Sequence, residues 1–268
     1  MIHFLIVKFI LVQGRKEDSM PALPIKCDEK MISGTTGDHE LVFTIARSDE
    51  AQEVYEFLLH HFFPLAPIRQ LGLYDESEEA KRPAWIEDLV RDCLRSPYSL
   101  LVRDCAGLVR DSCLRHPIVA VAVNEIKTTA KPVTHNQPDG RSRSCVPAQF
   151  PVGRLHKAVL ENIHHQVDLF SLYQTERKME FSIVAVDKNY GRQGLASKLM
   201  GYSLEIAKTN EVGVVWTEAL SEYTAKLAVK FGFDTLKTIN YGDFWFEGDK
   251  PLANIPGHRI GQLMARKI

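Results

Sequence analysis

The segment Val184-Ala-Val-Asp-Lys-Asn-Tyr-Gly-Arg-Gln-Gly-Leu-Ala-Ser-Lys-Leu-Met200 constrains this chain more than any other. It runs from an apolar strand, through a short loop holding Gly191 and Gly194, into a helix whose first turn carries Ala196 and Ser197. Glycine lets a backbone approach a ligand closely, and N–H groups exposed at a helix start bind phosphate oxygens. Arg192 and Lys198 bring positive charge to the same turn. The segment reads physically as a diphosphate cradle. It is not a Walker loop, because G-x-x-x-x-G-K-[S/T] is absent, nor does it read G-x-G-x-x-G. A glycine-rich turn alone serves many structural ends, so the surrounding order of elements has to decide.

Strand candidates are Leu41–Ala46, Ser99–Arg103, Ile118–Val123, Met179–Val186, Val212–Thr217 and Phe233–Tyr241. Helical spacing of Val54, Phe57, Leu58 and Phe62 predicts a first helix after Ser48, ended by Pro64 and Pro67. Further helices are predicted in 75–95, Leu155–Leu172, Leu195–Lys208 and Glu222–Phe231. Strands alternating with helices imply an α/β (α+β mixed) layer architecture around a central sheet. Three segments follow: an N-terminal extension at 1–40, a domain at 41–247 and a C-terminal tail at 248–268.

Composition narrows the function. Lys plus Arg number 33 against 34 for Asp plus Glu, so no long-range field gathers nucleic acid or an anionic membrane. The apolar run Ile2–Val12 is too short for a spanning helix, which needs about 20 residues. None of the five cysteines forms a C-x-x-C pair, which reads as reduced thiols in a cytoplasmic protein. No Cys/His group has zinc-ligand spacing.

From Leu41 to Tyr241 the order of elements resembles the GNAT superfamily of acyl-CoA N-acyltransferases. That family's [Q/R]-x-x-G-x-[G/A] loop appears here as Gly191-Arg-Gln-Gly194-Leu-Ala196, with Gly191 in place of the first side chain. Ala225–Phe233 resembles its closing helix and Gly-Phe turn, and Glu56–Pro67 resembles the arylalkylamine N-acetyltransferases. The resemblance implies a twisted mixed sheet of six to seven strands whose splayed core strand binds acetyl-CoA. It places the co-substrate on Val184, Ala185, Val186, Gly191, Arg192, Gln193, Gly194, Leu195, Ala196 and Ser197. It implies direct acetyl transfer, in a ternary complex, to a small primary amine of the arylalkylamine class.

For the general base the sequence offers Glu180, read on the same strand face as Ser182, Val184 and Val186. A carboxylate among apolar neighbours has a raised proton affinity suited to that work. Ser221, Tyr223 and Thr224, at the start of one helix, are the hydroxyls offered as proton donors to the leaving thiolate. His60 and His61 lie near the substrate mouth, and Trp216 and 241–246 are offered as pocket walls. Two family groups are missing: Ala228 stands at the tyrosine acid's position, and Ala66 at the glutamate before Pro67. Two alternatives therefore stay open, a CoA-binding protein without catalysis and a protein or peptide N-acetyltransferase.

Overall fold

A computed structural model describes residues 41–71, 82–105, 117–129 and 151–268. The extension read over 1–40 lies outside the described residues. Among the described residues seven strands, β1 (Leu41–Ile45), β2 (Leu100–Asp104), β3 (Ile118–Thr128), β4 (Arg177–Val186), β5 (Val214–Ala219), β6 (Asp234–Asn240) and β7 (Ile260–Lys267), form one sheet. Their order is β1-β2-β3-β4-β5-β7-β6. Every pair is antiparallel except β4–β5. A parallel pair needs a crossover, and helix α5 (Leu195–Thr209) supplies it. The tail read at 248–268 is corrected here: its last residues form β7, inserted between β5 and β6. The alternation Leu263, Ala265 on one face and Met264 on the other fits a strand buried on both sides.

Among the described residues six helices cover the sheet: α1 (Ala51–His61), α2 (Ala84–Cys93), α3 (Pro151–His164), α4 (Leu169–Tyr173), α5 and α6 (Glu222–Lys230). The helix predicted across Leu155–Leu172 is two helices. The chain turns left-handed at Gln166 (φ 66°), and Asp168 caps α4 by accepting from Phe170 N at 3.0 Å.

One face of the sheet packs against α5 and α6 through Leu199, Met200, Leu204 and Ala228, all with little or no exposure. Asn124 fixes α5 there, its Nδ2 donating to Ser203 Oγ at 2.9 Å and to Tyr98 O at 2.7 Å. The opposite face carries two separate cores. Val54 and Leu58 of α1 meet Ile86 and Val90 of α2 over β2–β4, all four fully buried. Leu155, Val159 and Ile163 of α3 cover β5–β7. Each such buried side chain contributes about 2 kcal/mol. A gap remains between these two cores, and the site lies in it.

Two irregularities of β4 shape that gap. Val123 pairs with Ile183 and Asn124 with Phe181, so Ser182 is an extra residue in a β-bulge. The bulge reverses the alternation of side chains along the strand. Met179 and Phe181 face α5, whereas Ile183 and Ala185 face α1 and α2. The expectation that Glu180 shares a face with Ser182, Val184 and Val186 is thereby overturned. Glu180 shares the α1–α2 face with Ile183 and Ala185, while Val184 and Val186 pack toward α5.

The second irregularity is a splay. β4 and β5 pair only at Lys178–Val214, Met179–Val215 and Glu180–Trp216. Past that point Thr217 Oγ1 donates to Phe181 O at 2.9 Å, and the strands separate. Among the described residues, the edge of β4 from Ser182 to Val186 then has no strand beside it on the β5 side. A buried strand edge carries polar groups that seek a partner, so this edge is suited to receive an extended ligand.

Candidate active site

The cradle begins where β4 ends. Asp187 Oδ1 accepts from Asn189 N at 2.8 Å and closes a tight turn over Lys188–Tyr190. Tyr190 OH donates to Asp104 Oδ2 at 2.6 Å, tying the loop to the end of β2, and this bond pushes the phenol up to about 12. Arg192 (φ 62°) and Gly194 (φ 76°) are both left-handed and bring the chain into α5. A Cβ built on Gly194 would meet nothing within 4 Å, so the backbone there is open to a ligand. Gly191 is glycine for a different reason: at φ −60° its Cβ would lie 3.0 Å from Lys188 O.

Arg192 and Gln193 are exposed. Leu195 is buried and anchors the helix start, with Ala196 and Ser197 half-buried in the first turn. Lys230 Nζ donates to Ser197 Oγ at 3.2 Å and adds a cation beside that turn. The first N–H groups of a helix have no intrahelical partner, and the helix dipole favours an anion at that end. An exposed turn of this kind fits a diphosphate.

Next to the splay is a cleft of about 150 Å³. Phe62, Phe63, Pro67 and Ile68 from the turns after α1 form one wall, with Trp85 and Leu89 of α2 and His156 of α3. Glu125, Lys127, Glu180 and Glu218 line it with charge, and Ser221 and Thr224 stand at its side. The cleft thus combines an aromatic wall with three carboxylates, Lys127 and Arg69, whose guanidinium lies over the Phe63 ring at 4.5 Å. The carboxylates outnumber the cations, a mixture suited to a cation with an apolar body.

These charges are organised. Lys127 Nζ donates to Glu180 Oε2 at 2.6 Å and lies 3.3 Å from Glu125 Oε2. The two carboxylates hold the lysine's proton affinity well above its ordinary value despite burial. Glu218 has a different environment. Its Oε1 lies 2.6 Å from His164 Nε2, and the His164 ring stands edge-on to Trp216 at 5.0 Å. Burial pushes the Glu218 carboxyl above the usual range, the neighbouring Glu180 charge adds to this, and His164 opposes it. His156 is surrounded by apolar groups, which push its imidazole down to about 4, although the residue keeps some contact with solvent through the cleft.

Sequence reasoning assigned several of these residues and missed others. Glu180 lies in the cleft, but as one half of an ion pair. Ser221 and Thr224 line the cleft, their hydroxyls 3.0 Å apart, and Ser221 also caps α6 by accepting from Thr224 N at 3.2 Å. Tyr223 is 77% exposed, packs edge-on against His258 at 5.7 Å, and is not among the cleft residues. Val184 lines the cleft, Ala185 is buried against the α1–α2 side, and Val186 is half-buried.

His60 bonds Glu56 O at 2.7 Å, and His61 stacks on Phe57 with its Nδ1 3.9 Å from Asp187 Oδ1; neither lines the cleft. Trp216 and Tyr241 are buried core residues, and Tyr241 OH donates to Leu220 O at 2.7 Å. Ala66 contributes to the cleft wall, and Ala228 is a fully buried core methyl. Glu218, Lys127 and His164 were missed. A glutamate inside the otherwise apolar strand Val214-Val-Trp-Thr-Glu-Ala219 was the available signal for the first.

The splayed parallel pair, the bulge beside it and the glycine turn into a crossover helix decide the fold. The chain has the GNAT fold. Residues 162–233 match the acetyltransferase (GNAT) family. Among solved structures, the fold is similar to arylalkylamine N-acetyltransferase 2 from Aedes aegypti, with a TM-score of 0.70 and 21% identity over 85% of this chain and 99% of that one. It is also similar to mosquito arylalkylamine N-acetyltransferase like 5b (TM-score 0.64, 18% identity, 85% of this chain and 100% of that one). A third is the Drosophila melanogaster polyamine N-acetyltransferase that forms N-acetylagmatine (TM-score 0.60, 18% identity, 85% and 100%). At these identities the likeness speaks for the GNAT fold. Among the described residues no helix is long and apolar enough to cross a membrane.

Proposed function

We propose that this GNAT protein is an acetyl-CoA-dependent N-acetyltransferase acting on a small primary amine, with an arylalkylamine as the class that fits best. The observation that carries the reading is the placement of the cleft. It opens on the free edge of β4 at Ser182–Val184, and that same strand leads into the glycine cradle at Gly191–Ser197. A co-substrate whose diphosphate lies on the α5 start therefore extends its acyl arm along β4 toward the cleft. The cleft then receives the amine, and both reactants are held together for direct transfer.

The residues have distinct roles in this reading. Gly194, Leu195, Ala196 and Ser197 hold the diphosphate through backbone N–H groups, with Arg192 and Gln193 at its exposed side. The edge of β4 at Val184–Val186 aligns the acyl arm. Glu180, fixed by Lys127, supplies negative charge at the floor and attracts the ammonium. Ser221 and Thr224 donate to the departing thiolate. The aromatic wall of Phe62, Phe63 and Trp85 favours an aromatic body over a polyamine.

The test is thiol release from acetyl-CoA with tryptamine, dopamine and polyamines as acceptors. Amine-dependent release, greatest with the aromatic amines, is the expected result. Acetyl-CoA that raises the melting temperature while no acceptor releases thiol would replace this reading with a CoA-binding protein lacking catalysis. Release with peptides alone would make the acceptor a protein N-terminus or lysine.

A further inference from the structure

Resting on the transferase reading above, we propose that Glu218 takes the proton from the acceptor ammonium and that His164 is the positioning residue which holds its carboxylate. Two carboxylates of the cleft, Glu125 and Glu180, face a common cation in Lys127. Among the described residues, the hydrogen-bond partner of Glu218 is His164, at 2.6 Å, and its carboxyl reaches the cleft beside Thr217 and Ser221. A base must be within reach of the substrate and must keep its proton affinity high without losing its charge altogether. Glu180 already has Oε2 occupied by Lys127 Nζ at 2.6 Å, so taking up a proton on that oxygen would break the bond.

Burial and the neighbouring Glu180 charge raise the proton affinity of Glu218, while His164 on α3 and Lys127 on β3 restrain that rise. Glu125 on β3, His156 on α3 and Arg69 from the turns after α1 face the same cleft, and His156 is uncharged at neutral pH. Burial therefore outweighs the restraining cations, and the carboxyl stays above its ordinary range. His164 is itself fixed, by its edge-on packing against the buried Trp216 ring.

The step balances as follows. One N–H bond of the ammonium breaks, and an O–H bond forms on Glu218. The freed nitrogen lone pair attacks the thioester carbonyl carbon of acetyl-CoA, and the C–S bond breaks with its electrons on sulfur. The thiolate takes a proton through the Ser221 and Thr224 hydroxyls, the second amine proton restores them, and Glu218 later releases its own proton to water at the cleft mouth.

The experiment compares wild type, Glu218→Gln, His164→Ala and Glu180→Gln in kcat/KM against pH, with acetyl-CoA binding followed by thermal shift. Loss of a proton acceptor is expected to lower kcat about 100-fold in Glu218→Gln, with acetyl-CoA binding kept. Glu180→Gln is expected to act mainly on the KM for amine. In His164→Ala the acid limb of kcat/KM is expected to move to higher pH, because a cation-forming partner of the carboxylate is gone; a merely structural histidine would lower activity without moving the limb. Activity of Glu218→Gln within threefold of wild type, with an unmoved acid limb, overturns the proposal.

A second readout needs no turnover. Carbon NMR of glutamate-labelled protein, with the Glu218 signal assigned from its loss in Glu218→Gln, follows the carboxyl directly. Titration above the ordinary carboxylate range, and higher still in His164→Ala, is expected. Titration in the ordinary range, unchanged by His164→Ala, overturns the pairing. A wild type that transfers nothing to any amine refutes the transferase reading instead, and the NMR result still decides the Glu218–His164 pair.

Discussion

Lys127 Nζ donates to Glu180 Oε2 over 2.6 Å, and the two residues project from adjacent antiparallel strands onto the cleft side of the sheet. Glu180 is directly opposite Glu125 in the register of β3 and β4, so two like charges meet across the pair with the lysine between them. Like charges opposed across a ladder repel, and the lysine makes the arrangement tolerable.

Lys127→Met is therefore expected to destabilise the fold and improve amine binding together. Glu180 keeps only 11% of its side chain exposed and Lys127 23%, so the cost is about 2 kcal/mol, below that of a fully buried pair. For a chain of this size that is roughly a 4–8 °C fall in melting temperature. The KM for amine is expected to fall severalfold, since a cation no longer competes for the carboxylates. Lys127→Met/Glu180→Gln should recover most of the melting temperature, which a double-mutant cycle by calorimetry measures.

Gly194→Ala tests the cradle. The φ of 76° costs an alanine about 1 kcal/mol, and the space around the new Cβ is empty of protein. The methyl would instead meet the diphosphate. The expected outcome is a small fall in melting temperature with a KM for acetyl-CoA raised about tenfold and little change in the KM for amine. An unchanged KM for acetyl-CoA would place the diphosphate elsewhere.

Much of the fold was legible because its signals are local. The glycine turn, the β-branched run before it and the apolar spacing of α1 and α5 are written in neighbouring residues. The bulge at Ser182 was not legible, because an inserted residue leaves a period of two looking continuous. Glu218 and Lys127 escaped for another reason. Their roles depend on the splay of β5 and on the approach of α3 and β3, which lie far away in sequence. The strand β7 was hidden by its content, since Gly261 and Arg266 interrupt the apolar pattern that marks Leu263–Ala265. Gly261 is required there, as a Cβ would lie 2.8 Å from Tyr241 Oη.

Arg103→Ala tests how the aromatic wall is supported. Arg103 on β2 bonds Glu50 at 2.9 Å and Glu53 at 2.6 Å, at the start of the helix that leads to Phe62 and Phe63. Arg103 is 12% exposed and Glu50 8%, so removing the guanidinium leaves a buried carboxylate without its cation, held by the Arg47 N–H at 2.9 Å. Such losses cost about 3 kcal/mol, or roughly 6–12 °C here. The KM for amine should rise as α1 loosens, while that for acetyl-CoA stays near wild type.

Glu218→Gln carries a prediction about stability opposite in sign to its effect on turnover. The folded carboxyl has a raised pKa, so between the ordinary value near 4.5 and the folded one the native state binds more protons than the unfolded state. Stability contributed by this group is therefore present at low pH and is lost as pH rises through the folded value. Each unit of separation costs about 1.4 kcal/mol above that window. Glutamine keeps an oxygen for His164 and carries no charge to desolvate. Glu218→Gln should thus melt above wild type at pH 8 and converge with it near pH 4, measured by calorimetry across that range. A wild type that is the more stable of the two at pH 8 would mean that the His164 bond outweighs the burial of the charge.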